Sequence, residues 1–113
     1  MGTEATRVRL LSGRGWLENG KLYAGMAVYV DALRDYGWWR GPSCHLIADS
    51  VDELMEFALA MGLRREWFQP KSTPHFDLTA NTRVVAVRMG AIELDRRELI
   101  AKVRELRQKR RII

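Results

Sequence analysis

The sequence lacks what an exported or disulfide-stabilised protein needs. Cys44 is the only cysteine among 113 residues, which excludes an internal disulfide and a multi-cysteine zinc site. No apolar run approaches the roughly 20 residues that cross a bilayer, and Met1 to Arg9 lack the apolar centre of a signal peptide. These absences predict a cytoplasmic protein with no membrane partner.

What the chain does contain is typical of one folded domain. Hydrophobic residues make up 47% and charged residues 29%, close to the averages for globular proteins, and the length suits a single core. The formal net charge is +5, but eight of the 19 basic residues lie between Arg96 and Arg111. The positive charge is therefore concentrated near the carboxyl terminus.

Periodicity divides the chain into two regions. Residues 1–25 show no sustained period and are predicted to be an extension or a loose hairpin around Asn19 and Gly20. Residues 26–113 are predicted to form a single α/β domain with a basic C-terminal helix. Its first strands are expected at Met26–Asp31 and Cys44–Ala48, where short apolar runs are bounded by polar or turn residues.

Capping patterns predict about three helices, and with them a small sheet of three or four strands. Ser50 and Glu53 have capping-box spacing before an apolar stripe, and Gly62 supplies a left-handed end. The stripe comprises Leu54, Phe57, Ala58 and Met61. A second helix is expected between Thr79 and Gly90, and a final helix after the capping box Asp95–Glu98. The apolar face of that last helix comprises Leu99, Ile100, Val103 and Leu106.

Six short motifs carry a family resemblance. They are Ala27–Asp31, Cys44–Asp49, Glu53–Ala58, Trp67–Gln69, Pro74–Thr79 and Ala86–Ala91. Over about residues 26–98 the chain resembles a small bacterial and bacteriophage family, the domain of unknown function catalogued as number four thousand and thirty-one. The resemblance implies a bacterial or phage origin and no established activity. It also implies that the first 25 residues are an added leader or an over-called start, and that an acidic pair follows the first strand, where this chain has Asp31 and Ala32.

Histidine and aspartate side chains form the leading candidate site. Alternation along strands puts chemistry-bearing residues on shared faces, and if those faces meet, two imidazoles and three carboxylates converge. The candidate catalytic residues are Asp31, His45, Asp49, His75 and Asp77, and the candidate metal ligands are His45, His75 and Asp77. Such donors suit a divalent metal that activates water against a phosphoester or amide. The structural alternative is that Asp49 and Asp77 simply cap helices.

Aromatic residues near the first strand supply candidate ligand-binding groups. These are Tyr29, Trp38, Trp39 and Arg40. Stacking on tryptophan, or phosphate binding by free amides at helix starts, would suit a small phosphorylated ligand such as a nucleotide. Tryptophans in small domains also serve as core or loop anchors. Cys44 and His45 are neighbours in a strand and point to opposite faces, so they are not expected to pair.

The basic terminal helix supports an alternative function. Its candidate nucleic-acid contacts are Arg104, Arg107, Lys109, Arg110 and Arg111. Basic residues at a helix end can bind phosphates. They also interact favourably with the dipole at the carboxyl end of a helix and increase solubility. The leading hypothesis is thus a metal-binding or small-ligand enzyme-like domain. The alternatives are a nucleic-acid-binding accessory factor and a module that binds a host protein.

Overall fold

The structure is a computed structural model that describes residues 7–9, 15–18, 21–24 and 27–112, with side chains over residues 27–109. The first three segments are strands β1 (Arg7–Arg9), β2 (Gly15–Glu18) and β3 (Lys21–Ala24). They form an antiparallel sheet with β2 in the middle, and Glu18 pairs with Lys21. The predicted turn at Asn19 and Gly20 lies outside the described residues.

A four-stranded mixed sheet and three helices confirm the predicted α/β class. The strands are β4 (Val28–Val30), β5 (Ser43–Ala48), β6 (Phe76–Thr79) and β7 (Ile92–Glu93). Their order is β6-β5-β4-β7, antiparallel from β6 to β4 and parallel between β4 and β7. The antiparallel part fixes which side chains of the three longer strands meet.

The helices begin and end where their caps predict. They are α1 (Val51–Ala60), α2 (Ala80–Arg88) and α3 (Arg96–Ile112), with one 3₁₀ turn at Arg65–Trp67. Ser50 Oγ accepts from the backbone N–H of Glu53, and Thr79 caps α2. Asp95 and Glu98 exchange side-chain-to-backbone hydrogen bonds of 2.8 and 2.9 Å. In the described part of the chain, no helix has the length and apolarity needed to cross a bilayer.

The two faces of the mixed sheet carry different elements. One face is packed by α1 and α2 over fully buried side chains such as Leu46, Phe76 and Leu78. The other face packs Tyr29 and Ile47 against α3. This division follows from strand alternation, since neighbouring residues point to opposite faces. The face covered by α3 is the one that carries the candidate site.

Two apolar stripes differ in detail from the predicted ones. On α1 the fully buried residues are Leu54 and Ala58, whereas Phe57 is only partly buried at the edge of the core. On α3 Leu106 is buried, but Ile100 is 43% exposed. Both stripes are therefore narrower than helical spacing alone predicts, because each helix contacts the sheet along a narrow strip.

Candidate metal centre

Strand register brings together three side chains that lie far apart in the sequence. His45 on β5 pairs with Asp77 on β6, and Leu46 pairs with Phe76. Directly opposed residues point to the same face, so His45 and Asp77 share one face while Leu46 and Phe76 enter the core on the other. His75 is two residues before Asp77 and points the same way. We call His45, His75 and Asp77 the metal set.

The donor atoms of the metal set converge. One ligand atom from each of the three residues lies within 4.8 Å of the other two. The two imidazole rings are 5.3 Å apart between centroids, and His75 Nε2 is 3.6 Å from Asp77 Oδ1. Two imidazoles and a carboxylate at this spacing could hold one divalent transition-metal ion.

Asp31 fixes the ring of His45. The Nδ1 of His45 donates to Asp31 Oδ2 over 2.8 Å, and the backbone N–H of His45 donates to Oδ1 over 2.6 Å. Because the carboxylate only accepts, the neutral ring carries its proton on Nδ1 and presents a lone pair at Nε2. The hydrogen bond to buried Asp31 raises the pKa of His45 above its usual value, although partial burial opposes this rise.

His75 and Asp77 are each held by one further partner. The Nδ1 of His75 lies 2.9 Å from the carbonyl oxygen of Thr73. Because that oxygen can only accept, the neutral ring carries its proton on Nδ1 and again presents a lone pair at Nε2. Gln69 Nε2 donates to Asp77 Oδ2 over 2.6 Å. Gln69 and His75 also form an antiparallel backbone bridge, which places the amide beside the carboxylate.

The metal set faces an open cleft of about 340 Å³. Tyr36, Trp38 and Ser43 line this cleft together with the metal set. The side chains of His45, His75 and Asp77 are 34%, 16% and 43% exposed, so an ion and a small ligand could reach them from solvent. Three protein donors beside open space are typical of catalytic rather than structural metal sites.

A comparison with protein families assigns the chain. A family described as "Protein of unknown function (DUF4031)" matches residues 28–106, more than half of the chain. The chain belongs to this family. The matched region contains the metal set together with Asp31, Gln69 and Thr73, and it confirms the resemblance predicted from the six motifs. No curated protein and no solved structure matches the chain.

Asp49, a predicted member of the site, lies elsewhere in the DUF4031 domain. It follows β5, four residues from His45 and therefore roughly 13 Å along the strand. Its carboxylate accepts hydrogen bonds from the backbone N–H of Ala27 and the hydroxyl of Tyr29, and it lies 3.5 Å from Lys102 Nζ on α3. We call Tyr29, Asp49 and Lys102 the Asp49 cluster. Two carboxylates, Asp31 and Asp77, meet the histidines instead of the predicted three.

Tyr29 belongs to this cluster and not to the cleft. Its side chain is buried, and burial raises the pKa of its hydroxyl above the usual value. Lys102 stands over its ring, 4.7 Å from the centroid. The predicted ligand-binding role of Tyr29 therefore has no support from its position.

Of the other predicted ligand-binding residues, Trp38 lies at the cleft, whereas Arg40 and Trp39 lie beside Trp38 and do not line it. The guanidinium of Arg40 lies 5.2 Å from the centre of the Trp38 ring and 5.7 Å from that of Trp39. Trp39 is 87% exposed. These three residues form an aromatic and cationic border beside the metal set.

The predicted basic surface on α3 is only partly free. Arg104 and Lys109 are exposed, but Arg107 donates to the hydroxyls of Ser72 and Thr73 over 3.1 and 3.2 Å. Arg107 thus ties α3 to the loop that holds His75. The side chains of Arg110 and Arg111 lie outside the described residues.

Cys44 is on the core face, as its strand position predicts. It is fully buried, and burial raises the pKa of its thiol to about 12. A thiol with that pKa stays protonated near neutral pH and is a poor nucleophile. The candidate site therefore offers imidazole and carboxylate groups and not a thiolate.

Sequence reasoning missed the partners that orient the metal set. Gln69 occurs in the motif Trp67–Gln69, which was informative for the resemblance but carried no chemical role by itself. Thr73 acts through its backbone carbonyl, which no residue type reveals. Arg83 donates to the backbone oxygen of Asp31 over 2.8 Å and pairs with Glu93 over 3.0 Å, so it steadies Asp31 from α2.

Proposed function

We propose that the DUF4031 domain binds one divalent transition-metal ion through Nε2 of His45, Nε2 of His75 and a carboxylate oxygen of Asp77, and that it is a metal-dependent hydrolytic enzyme. The observation that carries the proposal is that one ligand atom from each of the three residues lies within 4.8 Å of the other two, while both Nδ1 atoms are engaged elsewhere. Metal-binding histidines almost always donate their other N–H to a carboxylate or carbonyl oxygen.

The ligand atoms of His75 and Asp77 need to move only a little to reach the spacing of a tetrahedral metal site. Ligand atoms around a tetrahedral zinc ion stand about 3.3 Å apart, given metal–nitrogen distances of about 2.0 to 2.1 Å. His75 Nε2 and Asp77 Oδ1 are already 3.6 Å apart, and the exposed Asp77 side chain can turn. The opposing structural interpretation, in which His75 and Asp77 only pair with each other, does not account for His45 facing the same point.

A bound ion would lower the pKa of a coordinated water and polarise a phosphoester or amide. The residues of this chain would set that chemistry up. Asp31 holds the ring of His45, Gln69 holds the carboxylate of Asp77, and the cleft beside Trp38 admits the substrate. Hydrolysis is favoured because the metal set leaves coordination positions open toward this cleft.

Metal binding can be tested directly. Purified, chelator-treated protein would be titrated with Zn²⁺ by calorimetry, and Co²⁺ spectra would report the ligand field. We expect one ion per chain and an affinity loss of about 100-fold or more in His75→Gln and Asp77→Asn, since each removes a direct ligand. Asp52→Asn, an exposed carboxylate on α1, is the matched control. Binding below stoichiometric levels, or equal binding by all variants, would refute the metal centre.

The nucleic-acid or protein-binding accessory factor remains the second candidate. The exposure of Arg104 and Lys109 on the basic helix favours it, because exposed cations at one helix end can contact phosphates. The contacts of Arg107 with Ser72 and Thr73 support a structural role for that residue. A host protein as partner would use the same surface.

A further inference from the structure

We propose that the substrate of the metal centre is a nucleotide unit, free or within a single strand, and that Trp38, Trp39 and Arg40 bind it. This inference rests on the proposed function for its catalytic meaning. The three residues, called the aromatic border below, also stand on geometry of their own. Trp38 shares the cleft of the metal set, and Arg40 lies near the rings of both Trp38 and Trp39, so the three residues combine the two kinds of contact that a nucleotide needs.

The cleft at the metal set adjoins a second cleft of about 380 Å³. Trp38 and Asp77 line both, while Arg40 and Trp67 line the second. A ligand seated against Trp38 and Arg40 is thus next to the donors of Asp77. Together the two clefts have room for a base on one side and a phosphodiester at the metal set.

The aromatic residues are exposed to a degree that folding does not explain. Trp39 is 87% exposed and Trp67 is 48% exposed. An exposed indole buries little apolar surface and so contributes little to the stability of the fold. Exposed apolar groups beside a polar site commonly mark binding surfaces. Each indole also has a guanidinium near its ring, Arg40 near Trp39 and Arg64 at 5.8 Å from Trp67. Indoles with arginines are the groups on which bases stack in single-strand-binding proteins.

Cations in the two clefts that adjoin the metal set suit a phosphate. Arg40 lines the second cleft, and Lys71 and Arg107 line a third cleft of about 260 Å³ that His45 and His75 share. Glu66 is an acidic residue in the second cleft, and Asp77 would be neutralised by an ion. A ligand with a planar ring and a negative charge therefore complements the site better than a neutral peptide.

The test uses the full chain with and without Zn²⁺ and two probes. One is a fluorescein-labelled oligothymidylate of about ten nucleotides, a length that suits known single-strand sites. The other is unlabelled thymidine monophosphate as competitor. We expect Trp39→Ala to weaken oligonucleotide binding by about 5- to 100-fold and Trp39→Phe to retain most of it, because base stacking needs an aromatic face. Arg40→Gln should weaken binding and flatten its salt dependence.

Arg88→Gln, an exposed arginine of α2 that lines neither of the first two clefts, is the matched control. Equal competition by the mononucleotide assigns a free nucleotide, and competition by oligonucleotides alone assigns a single strand. Absence of binding to both probes, or binding unchanged in Trp39→Ala and Arg40→Gln, would overturn the inference.

Zinc stoichiometry measured on the same samples separates this inference from the metal proposal. Neither Trp39 nor Arg40 is a ligand, so zinc binding should stay at the wild-type level in both variants. Zinc binding without nucleotide binding defeats the substrate assignment alone. Nucleotide binding that depends on Trp39 in a protein that binds no zinc supports the aromatic border and defeats the metal centre.

Discussion

Two ends of one sheet face show how the same residue type serves different purposes. At one end Asp49 is 6% exposed, and donors from Ala27, Tyr29 and Lys102 surround its carboxylate. At the other end the metal set faces a cleft, and one ligand atom from each of its three residues lies within 4.8 Å of the other two. A carboxylate surrounded by protein donors stabilises the fold, whereas one that faces open space beside imidazoles can bind a ligand. Partners, more than residue type or sequence setting, decide which role a carboxylate has.

The largest effect should come from breaking the Asp49 cluster. We expect Asp49→Ala to lower the free energy of unfolding by about 3 to 5 kcal/mol, because the backbone N–H of Ala27 and the hydroxyl of Tyr29 both lose a charged, largely buried acceptor. Lys102 keeps its ion pair with Glu105 at 2.7 Å. Asp77→Ala, at the other end of the face, should cost less than about 1 kcal/mol. Urea unfolding monitored by circular dichroism measures both, and equal losses would erase the distinction between the two ends.

The core on the opposite face provides the scale for these losses. Leu54→Ala should cost about 3 kcal/mol, because Leu54 is fully buried beneath the sheet. Phe57→Ala should cost less than a fully buried phenylalanine would, since Phe57 only borders that core. Denaturant midpoints of the two variants, compared with the wild type, give the ranking. The opposite order would place the centre of the α1 interface at Phe57.

Substituting Asp31 tests whether zinc binding by the metal set depends on the orientation of the His45 ring. We expect Asp31→Asn to weaken Zn²⁺ binding by about 10- to 100-fold, because the partner of a ligating histidine fixes its ring and raises its basicity. Calorimetric titration measures the loss, and nuclear magnetic resonance should show the pKa of His45 falling in the same variant. Unchanged zinc affinity would mean that Asp31 serves the backbone of β5 only.

His45 should give the stability of the domain a dependence on pH. Because the folded pKa of His45 is raised, its contribution is fully present below the unfolded pKa and is lost as pH rises through the folded value. In the presence of a chelator, wild type should exceed His45→Gln in stability by more at about pH 5.5 than at about pH 8.5, on either side of the ordinary histidine pKa. A difference that stays constant with pH would contradict the Asp31–His45 pairing.

The smallest effect should come from the exposed part of α3. The double variant Arg104→Gln and Lys109→Gln should change the free energy of unfolding by less than about 0.5 kcal/mol, as surface substitutions usually do. Gel shifts across a salt series would then compare it with Arg40→Gln. If only the double variant loses salt-sensitive binding, the contact surface is the exposed part of α3 and not the aromatic border. That result would favour the second candidate function.

Local signals in the sequence predicted the helices well. Ser50, Thr79 and Asp95 cap the helices that their positions indicated, because capping depends on residues three apart in the chain. Gly62 and Gly90 adopt the expected positive φ angles of 87° and 108°. Such interactions can be read from short segments alone.

The site depended on contacts that no short segment contains. Alternation assigned His45 and Asp77 to faces, but only the β5–β6 register put them opposite each other. Asp49 resembled Asp77 in sequence, yet Tyr29 and Lys102 engage it from 20 and 53 residues away. A single sequence carries no direct record of these pairings, so the composition of the site could be predicted only in part.

The parallel pairing of β4 with β7 has a consequence for how the chain folds. Tyr29 meets Ile92 across 63 residues, whereas His45 meets Asp77 across 32. Each doubling of loop length adds about 0.6 kcal/mol to the free energy needed to close the loop. The longer loop brings in β7, which has only two residues to pair with β4. We therefore expect the antiparallel strands to associate first and β7, with α3 behind it, to dock last. The metal set lies entirely within the early-forming strands and the residues beside them, so its donors would be assembled before the basic helix closes over the sheet.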